Sequence, residues 1–262
     1  MSERPVAVVG ALGKMGKEVR AAVAARPELR IGGALEAPGH PSIGGRIEND
    51  VIIAGDAAAA FAGCDVAIDF SVPKATLANL RVAAEAGIAY VTGTTGFTPS
   101  ELDEVATLAK TIPVLHAPNF SVAVNVLAWV VREAAARLGP GYDAEIVELH
   151  HAAKRDAPSG TALRLAEAVA AGRGIALEPN LVLERAGETG PRPRDAIGVQ
   201  TLRGGDNTGE HTVMFIGKGE RLELVHRSST RGHFAAGAAR AAAWLVDKPA
   251  GAYRIEQVLG LD

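Results

Sequence analysis

The chain has one cysteine, Cys64, among its 262 residues. An internal disulfide is thereby excluded, as is a metal site built from several thiolates. Aromatic residues make up only 4%. With no clustered basic run, a nucleic-acid surface is not expected. The net charge of −3 at pH 7 argues in the same direction. No apolar run approaches the roughly twenty residues that a bilayer-spanning helix needs. The longest candidate, near Val122 to Val131, is interrupted by Asn125 and stopped by Arg132. The N-terminus runs Met-Ser-Glu-Arg-Pro straight into an apolar segment at Val6, a pattern that fits no secretory signal. These shortages lead us to expect a soluble, cytoplasmic protein whose partners include neither nucleic acid nor membrane.

Glycine, by contrast, is plentiful. Thirty glycines lie on a background that is 48% hydrophobic, which suits an α/β protein with tight loops and alanine-rich helices. In the first half, short apolar runs alternate with helical patterns. "VAVVG" (6–10), "RIGGALE" (30–36), "VAIDFS" (66–71), "IAYVTG" (88–93) and "IPVLHAPN" (112–119) read as strands. Helical stretches lie between them, one opened by Pro73, whose missing N–H is harmless in a first turn. Such alternation predicts a Rossmann-like, doubly wound parallel sheet.

After Asn119 the pattern changes. A long helix (121–138) leads into "AEIVELHH" (144–151), and "SGTALRLAEAVAAG" reads as another helix. Segments 196–204, 211–219 and 221–230 then read as antiparallel strands, separated by Gly204-Gly205 and by 217–220. A last alanine-rich helix covers 232–246. An antiparallel sheet alone cannot bury so much alanine face, so this helix is expected to return to the first domain. The predicted organisation is a dinucleotide-binding domain over 1–120, completed by 231–262. A second α+β domain with a mostly antiparallel sheet covers 121–230. Alternation puts Val199, Val213 or Leu224 on one face of this sheet, and the sequence does not say which face meets the helices and which is left in water.

Three glycines, Gly10, Gly13 and Gly16, stand between the first strand and the first helix. Glycines there let backbone N–H groups approach a pyrophosphate at a helix N-terminus. The spacing, G-x-x-G-x-x-G, departs from strict G-x-G-x-x-G, and alone it also fits a purely structural turn. Glu36 adds context. It lies 36 − 16 = 20 residues beyond the last glycine, at the end of the second strand, where a carboxylate meets ribose hydroxyls. Two further loops, "GTTGF" (93–97) and "APNFS" (117–121), fall at the same sheet edge. Singly each is an ordinary loop; together they read as the wall of a cofactor site.

"HHAAKRDAPSGTA" (150–162) concentrates two imidazoles and an ammonium before a helix. His150 and His151 end a strand and should point to opposite faces, so joint metal ligation is not expected and no metal site is assigned. Ser159 can cap the helix that follows, whose free N–H groups favour an anion. The stretch therefore suits a carboxylate substrate with proton donors nearby. It also fits a capped helix preceded by a solvated basic loop.

Taken together, "GALGKMG", "VTGTTGF", "APNFSVAVNV" and "ELHHAAKRDAPSGTA" resemble the 4-hydroxy-tetrahydrodipicolinate reductase family. The resemblance extends over nearly the whole chain, through "GEHTVMF" and the terminal helix. It implies NADH- or NADPH-dependent reduction of a small cyclic imine dicarboxylate with loss of water, in the diaminopimelate route to lysine. It implies His150 and Lys154 as acid/base residues, and His151, Gly160 and Thr161 as holders of the substrate carboxylates. Gly10, Ala11, Leu12, Gly13, Lys14, Met15 and Glu36 would line the cofactor. So would Gly93, Thr94, Thr95, Ala117, Pro118, Asn119 and Phe120. A homotetramer built through the second domain's sheets is also implied. One position departs from the family's pattern: members often carry Arg after the ribose-binding Glu, and here Ala37 stands there. Lys14 is the nearby cation, and a modest preference for NADH is expected. Two alternatives remain. One is a catalytically silent dinucleotide-sensing protein. The other is a semialdehyde dehydrogenase, for which Cys64 is the sole nucleophile on offer.

Overall fold

The computed structural model describes residues 3–261. Strand β1 (Arg4–Val9) leads into α1 (Lys14–Ala24), β2 (Leu29–Leu35), β3 (Ile53–Ala54), α2 (Ala57–Phe61), β4 (Val66–Asp69), α3 (Pro73–Ala86), β5 (Ala89–Thr92), α4 (Pro99–Leu108) and β6 (Pro113–His116). The apolar runs become strands because both their faces are buried, and Val6 to Val8 are fully inaccessible. Pro73 occupies the first turn of α3, and Thr98 with Glu101 forms a capping box on α4.

Helix α5 (Val122–Leu138) is followed by β7 (Asp143–His150), α6 (Gly160–Arg173), β8 (Leu181–Val182), β9 (Ile197–Arg203), β10 (Gly209–Ile216) and β11 (Arg221–Ser228). The chain ends with α7 (Gly232–Leu245), β12 (Gly251–Tyr253) and α8 (Ile255–Leu259). Two compact units result, Met1–Val122 with Arg231–Asp262, and Ala123–Thr230.

The first unit holds a seven-stranded sheet, order β12-β6-β5-β4-β1-β2-β3, parallel throughout. Alternate residues feed two cores. Val6, Val8, Ile31, Val66 and Ile68 pack with α1, α7 and α8 on one face. Ala7, Val9, Ala67, Tyr90 and Val114 pack with α2, α3 and α4 on the other. Gly237 lets α7 approach closely: a Cβ there would lie 1.8 Å from the Phe120 carbonyl oxygen. Strand order reverses between β1 and β4, where such sheets bind ligands beyond their strand C-termini.

The second unit holds a five-stranded sheet, order β11-β10-β7-β9-β8. Here the pairing differs from the sequence expectation. β10 is antiparallel to both neighbours, but β9 runs parallel to β7 and β8 parallel to β9. The sheet is mixed because β7 inserts between β9 and β10. Turn residues mark where a strand ends, not which strand becomes its neighbour. The structure also decides the faces, which the sequence left open. Val199 and Val213 are fully covered and Leu224 is partly so, beneath α5 and α6 in one core with Ala144, Ile146 and Phe215. The opposite face carries Leu202 and Val225, 51% and 41% exposed.

Candidate functional site

In the first unit the candidate residues lie at the C-terminal ends of parallel strands. Gly10 closes β1 with φ +64°, a conformation that L side chains resist. Its N–H and that of Ala11 donate to the Leu35 carbonyl, and the Gly13 N–H donates to that of Gly10 over 2.9 Å. A Cβ at Gly16 would lie 2.0 Å from the Gly10 oxygen, so the loop can fold onto the helix only with glycine there. Gly13 caps α1 with no side-chain hydrogen bond and no acidic residue in the first turn. The helix end is thus open to an anion. Glu36, half-buried just beyond β2, accepts the Leu12 N–H at 2.6 Å. Ala37 and Lys14 are exposed.

The two neighbouring loops are tied together. The Thr94 N–H donates to Thr92 Oγ1, and Thr94 Oγ1 meets Thr76 Oγ1 at 2.7 Å, with Ser71 next in the chain of hydroxyls. A Cβ at Gly93 would lie 2.1 Å from the Phe70 ring, which packs edge-on against Phe120 at 5.7 Å. The Ala117 N–H bonds the Thr92 carbonyl, and Asn119 Oδ1 accepts from the Ser121 N–H. Buried Asp69 accepts from Tyr90 Oη and from the Ser71 N–H, fixing the end of β4. Burial, and then Asp69 itself, push the Tyr90 hydroxyl well above its ordinary pKa. Gly93, Thr94, Ala117 and Phe120 thus share one packed edge, whereas Thr95 and Pro118 are exposed. Glycine turns, an open helix end and a strand-end carboxylate fit the pyrophosphate and ribose of a dinucleotide.

In the second unit the inner face of the sheet changes character along its length. Its apolar rows, Ala144–Ile197–Phe215 and Ile146–Val199–Val213, lie beneath the helices. The next row is polar: Thr201, Glu148, His211 and His226 stand side by side on β9, β7, β10 and β11. His150 and Arg203 pair one row further. Glu148 is fully buried. Its Oε1 accepts from the Ser159 N–H at 2.9 Å and from Thr201 Oγ1 and Arg203 Nη2 at 3.2 Å. Its Oε2 meets Arg203 Nη1 and His150 Nδ1. Ser159 Oγ caps α6 by accepting from Ala162 N–H, and it meets His211 Nε2 at 3.2 Å. The carboxylate of Glu148 and the rings of His150 and His211 offer ligand atoms within 4.8 Å of one another. Arg203 already engages both carboxylate oxygens, so the cluster is a hydrogen-bonded charge network rather than a cation cage.

Burial pushes the Glu148 carboxyl upward. The guanidinium of Arg203, the Ser159 N–H and His150 outweigh that and hold it below its ordinary value. Burial lowers the His150 imidazole; Glu148 opposes the shift, and Lys154 and Arg203 add to it. Burial, reinforced by His150, His226 and Lys154, lowers His211 to about 4. The Lys154 ammonium holds both oxygens of Asp156 at 2.8 Å.

His150 lies on the buried face of β7, whereas His151 leaves the strand, half-exposed, its N–H bonded to the Asn207 carbonyl. Gly160 and Thr161 are the first two residues of α6. Glu148, Arg203 and His211 went unassigned in the sequence. A signal for Glu148 was present, since residues two apart on a strand share a face. Arg203 and His211 come to it through strand register, which turn signals do not encode.

Two family models match the chain in succession. The model of the dihydrodipicolinate reductase N-terminus matches residues 4–120, and that of the C-terminus matches 123–259. The chain is 50% identical to 4-hydroxy-tetrahydrodipicolinate reductase of Anaeromyxobacter dehalogenans, covering 98% of this chain and 97% of that protein. It is 48% identical to the enzyme of that name from Geotalea daltonii, covering 98% of both. A dipicolinate-bound dihydrodipicolinate reductase from Paenisporosarcina sp. TG-14 shares the fold, with a TM-score of 0.79 at 24% identity over 97% of this chain and 98% of that one. The chain belongs to the dihydrodipicolinate reductase family.

Proposed function

We propose that this chain reduces 4-hydroxy-tetrahydrodipicolinate to tetrahydrodipicolinate, with loss of water, in the diaminopimelate route to lysine. The observation that carries the reading is the match to relatives of that name at about half identity over 98% of the chain. A nicotinamide dinucleotide is the cofactor, and it supplies the hydride when bound. Gly10 to Met15 take its pyrophosphate, and Glu36 takes the ribose. Gly93 to Thr95 and Ala117 to Phe120 form the adjoining wall. Both NADH and NADPH serve, with NADH modestly favoured: Glu36 repels a 2′-phosphate and Ala37 offers it no cation.

In the second unit, His151, Gly160 and Thr161 hold the substrate carboxylates, and His150 with Lys154 manages protons. The end of α6 supports this, because a helix N-terminus attracts anions. A substrate carboxylate must compete with Asp156 for the Lys154 ammonium, and the exposure of Asp156 lets that carboxylate swing away into water. Protonated groups beside the reacting imine stabilise the negative charge that hydride addition builds.

A semialdehyde dehydrogenase needs an accessible thiolate. Cys64 is buried, and burial pushes its thiol up to about 11. No helix among the described residues is long and apolar enough to cross a membrane, in keeping with a cytoplasmic enzyme. The exposed sheet face with Leu202 and Val225 suits a homotetramer. The deciding assay follows NADH absorbance with freshly generated substrate. Substrate-dependent loss of NADH is expected; tight NADH binding without turnover would leave the dinucleotide-sensing reading standing instead.

A further inference from the structure

We infer that Glu148 is a positioning residue for His150: its buried carboxylate, anchored by Arg203 and the Ser159 N–H, accepts the Nδ1–H of His150 and so leaves Nε2 as the nitrogen that exchanges protons. The inference rests on the reading of His150 as an acid/base group.

Geometry carries it. Glu148 and His150 are two residues apart on β7, so their side chains rise from one face. Glu148 is fully buried, yet each of its oxygens has more than one partner, two of them from the Arg203 guanidinium. A carboxylate so held stays ionised and can only accept. The ring nitrogen facing it, Nδ1, must therefore carry a hydrogen, and that contact sets the tautomer. The other nitrogen lies against Gly209, where an added Cβ would stand 2.9 Å from Nε2, so any larger residue there would crowd that nitrogen.

The same carboxylate reaches α6. Its bond to the Ser159 N–H fixes the residue that caps the helix on which Gly160 and Thr161 begin. One buried charge thus sets both the imidazole and the helix end.

The charges around His150 make the role of Glu148 specific. Lys154 and Arg203 face it as cations, Asp156 pairs with Lys154, His211 packs edge-on at 5.2 Å, and His226 lies beyond His211 at 6.3 Å. Glu148 is the one carboxylate in direct contact with the ring among the described residues. Without its charge, the imidazolium loses its nearest counterion.

Two measurements test the inference. The first needs no turnover. In the wild-type protein, 15N NMR of His150, assigned by comparison with His150→Gln, should show the Nδ1–H tautomer at pH above its titration. An Nε2–H tautomer would overturn the inference, whatever the reaction proves to be. The second compares Glu148→Gln with Glu148→Asp. Glutamine keeps an acceptor and loses the charge. We expect kcat to fall about 10²-fold. The pH above which kcat/KM declines should move down by about one unit, as expected for loss of an opposite charge. NADH affinity should stay within about twofold, a small fraction of the tenfold that 1.4 kcal/mol represents. Glu148→Asp should restore the pH profile toward wild type even where kcat remains low. A folded Glu148→Gln protein with the wild-type pH profile would refute the positioning role while leaving the reductase assignment intact. Should that variant fail to fold, the wild-type tautomer still decides.

Discussion

The backbone N–H of Leu12 donates to Oε1 of Glu36 over 2.6 Å, joining the glycine loop to the end of the second strand across 24 residues of chain. One carboxylate oxygen thereby shapes the loop. The proposed cofactor preference involves the same carboxylate. NADH should bind more tightly than NADPH by ~1 kcal/mol, about fivefold. Ala37→Arg should reverse the order by supplying a cation to the 2′-phosphate. Fluorescence titration of both dinucleotides on both proteins measures this. A clear NADPH preference in the wild type would mean that exposed Lys14 outweighs Glu36.

Turnover and binding should separate in the second unit. His150→Gln should lower kcat by about 10²–10⁴-fold, the usual contribution of a positioned acid or base. Lys154→Ala should damage both kcat and substrate binding, because the ammonium is assigned by proposal to the carboxylate as well as to the proton. Thr161→Val should chiefly raise KM. NADH affinity should hold in all three, since the dinucleotide is assigned to the first unit. Steady-state kinetics with NADH titrations distinguish the outcomes. Wild-type turnover in both His150→Gln and Lys154→Ala would leave a capped helix and a basic loop with no chemistry.

Acid should destabilise the protein through His211. Burial lowers this imidazole from 6.5 to about 4. The unfolded chain therefore binds the proton first as pH falls. The stabilisation is fully present above about pH 6.5 and is lost progressively down to about pH 4. The loss across that window is on the order of 3 kcal/mol. His150, lowered in the same direction, adds to it. Denaturant titrations at pH 7.5 and pH 5 should show the slope in wild type and a flatter one in His211→Asn. An unchanged slope in the variant would assign the effect elsewhere.

Assembly should depend on the outer face of the second sheet. Leu202 and Val225 leave 51% and 41% of their surface exposed on β9 and β11. Light scattering should report a tetramer at micromolar concentration. Leu202→Glu combined with Val225→Glu should yield smaller species with the fold retained by circular dichroism. A stable wild-type monomer would remove the sheet face from consideration.

Much of the fold was legible because it rests on local pattern. Continuous apolar runs between amphipathic stretches mark parallel strands buried on both faces, and β1, β2, β4, β5 and β6 appear where those runs lie. Gly10, Gly13, Gly16 and Glu36 were legible for a related reason: a tight turn and a strand end impose residue types at fixed spacings. The short elements β3, β8, β12, α2 and α8 went unread. Two to five residues are too few to display a period.

What the sequence determined alone was the class of each segment and the chemical kinds of residue at its ends. The tertiary structure decided who meets whom. Inserting β7 between β9 and β10 turned an expected antiparallel set into a mixed sheet. The same register aligned Thr201, Glu148, His211 and His226 in one row and put Arg203 beside His150. Val199 and Val213 were sent beneath the helices for the same reason. Strand partnership depends on which long-range pairing buries the most apolar surface while satisfying every buried polar group. That is a property of the whole folded unit, and no single stretch of chain contains it.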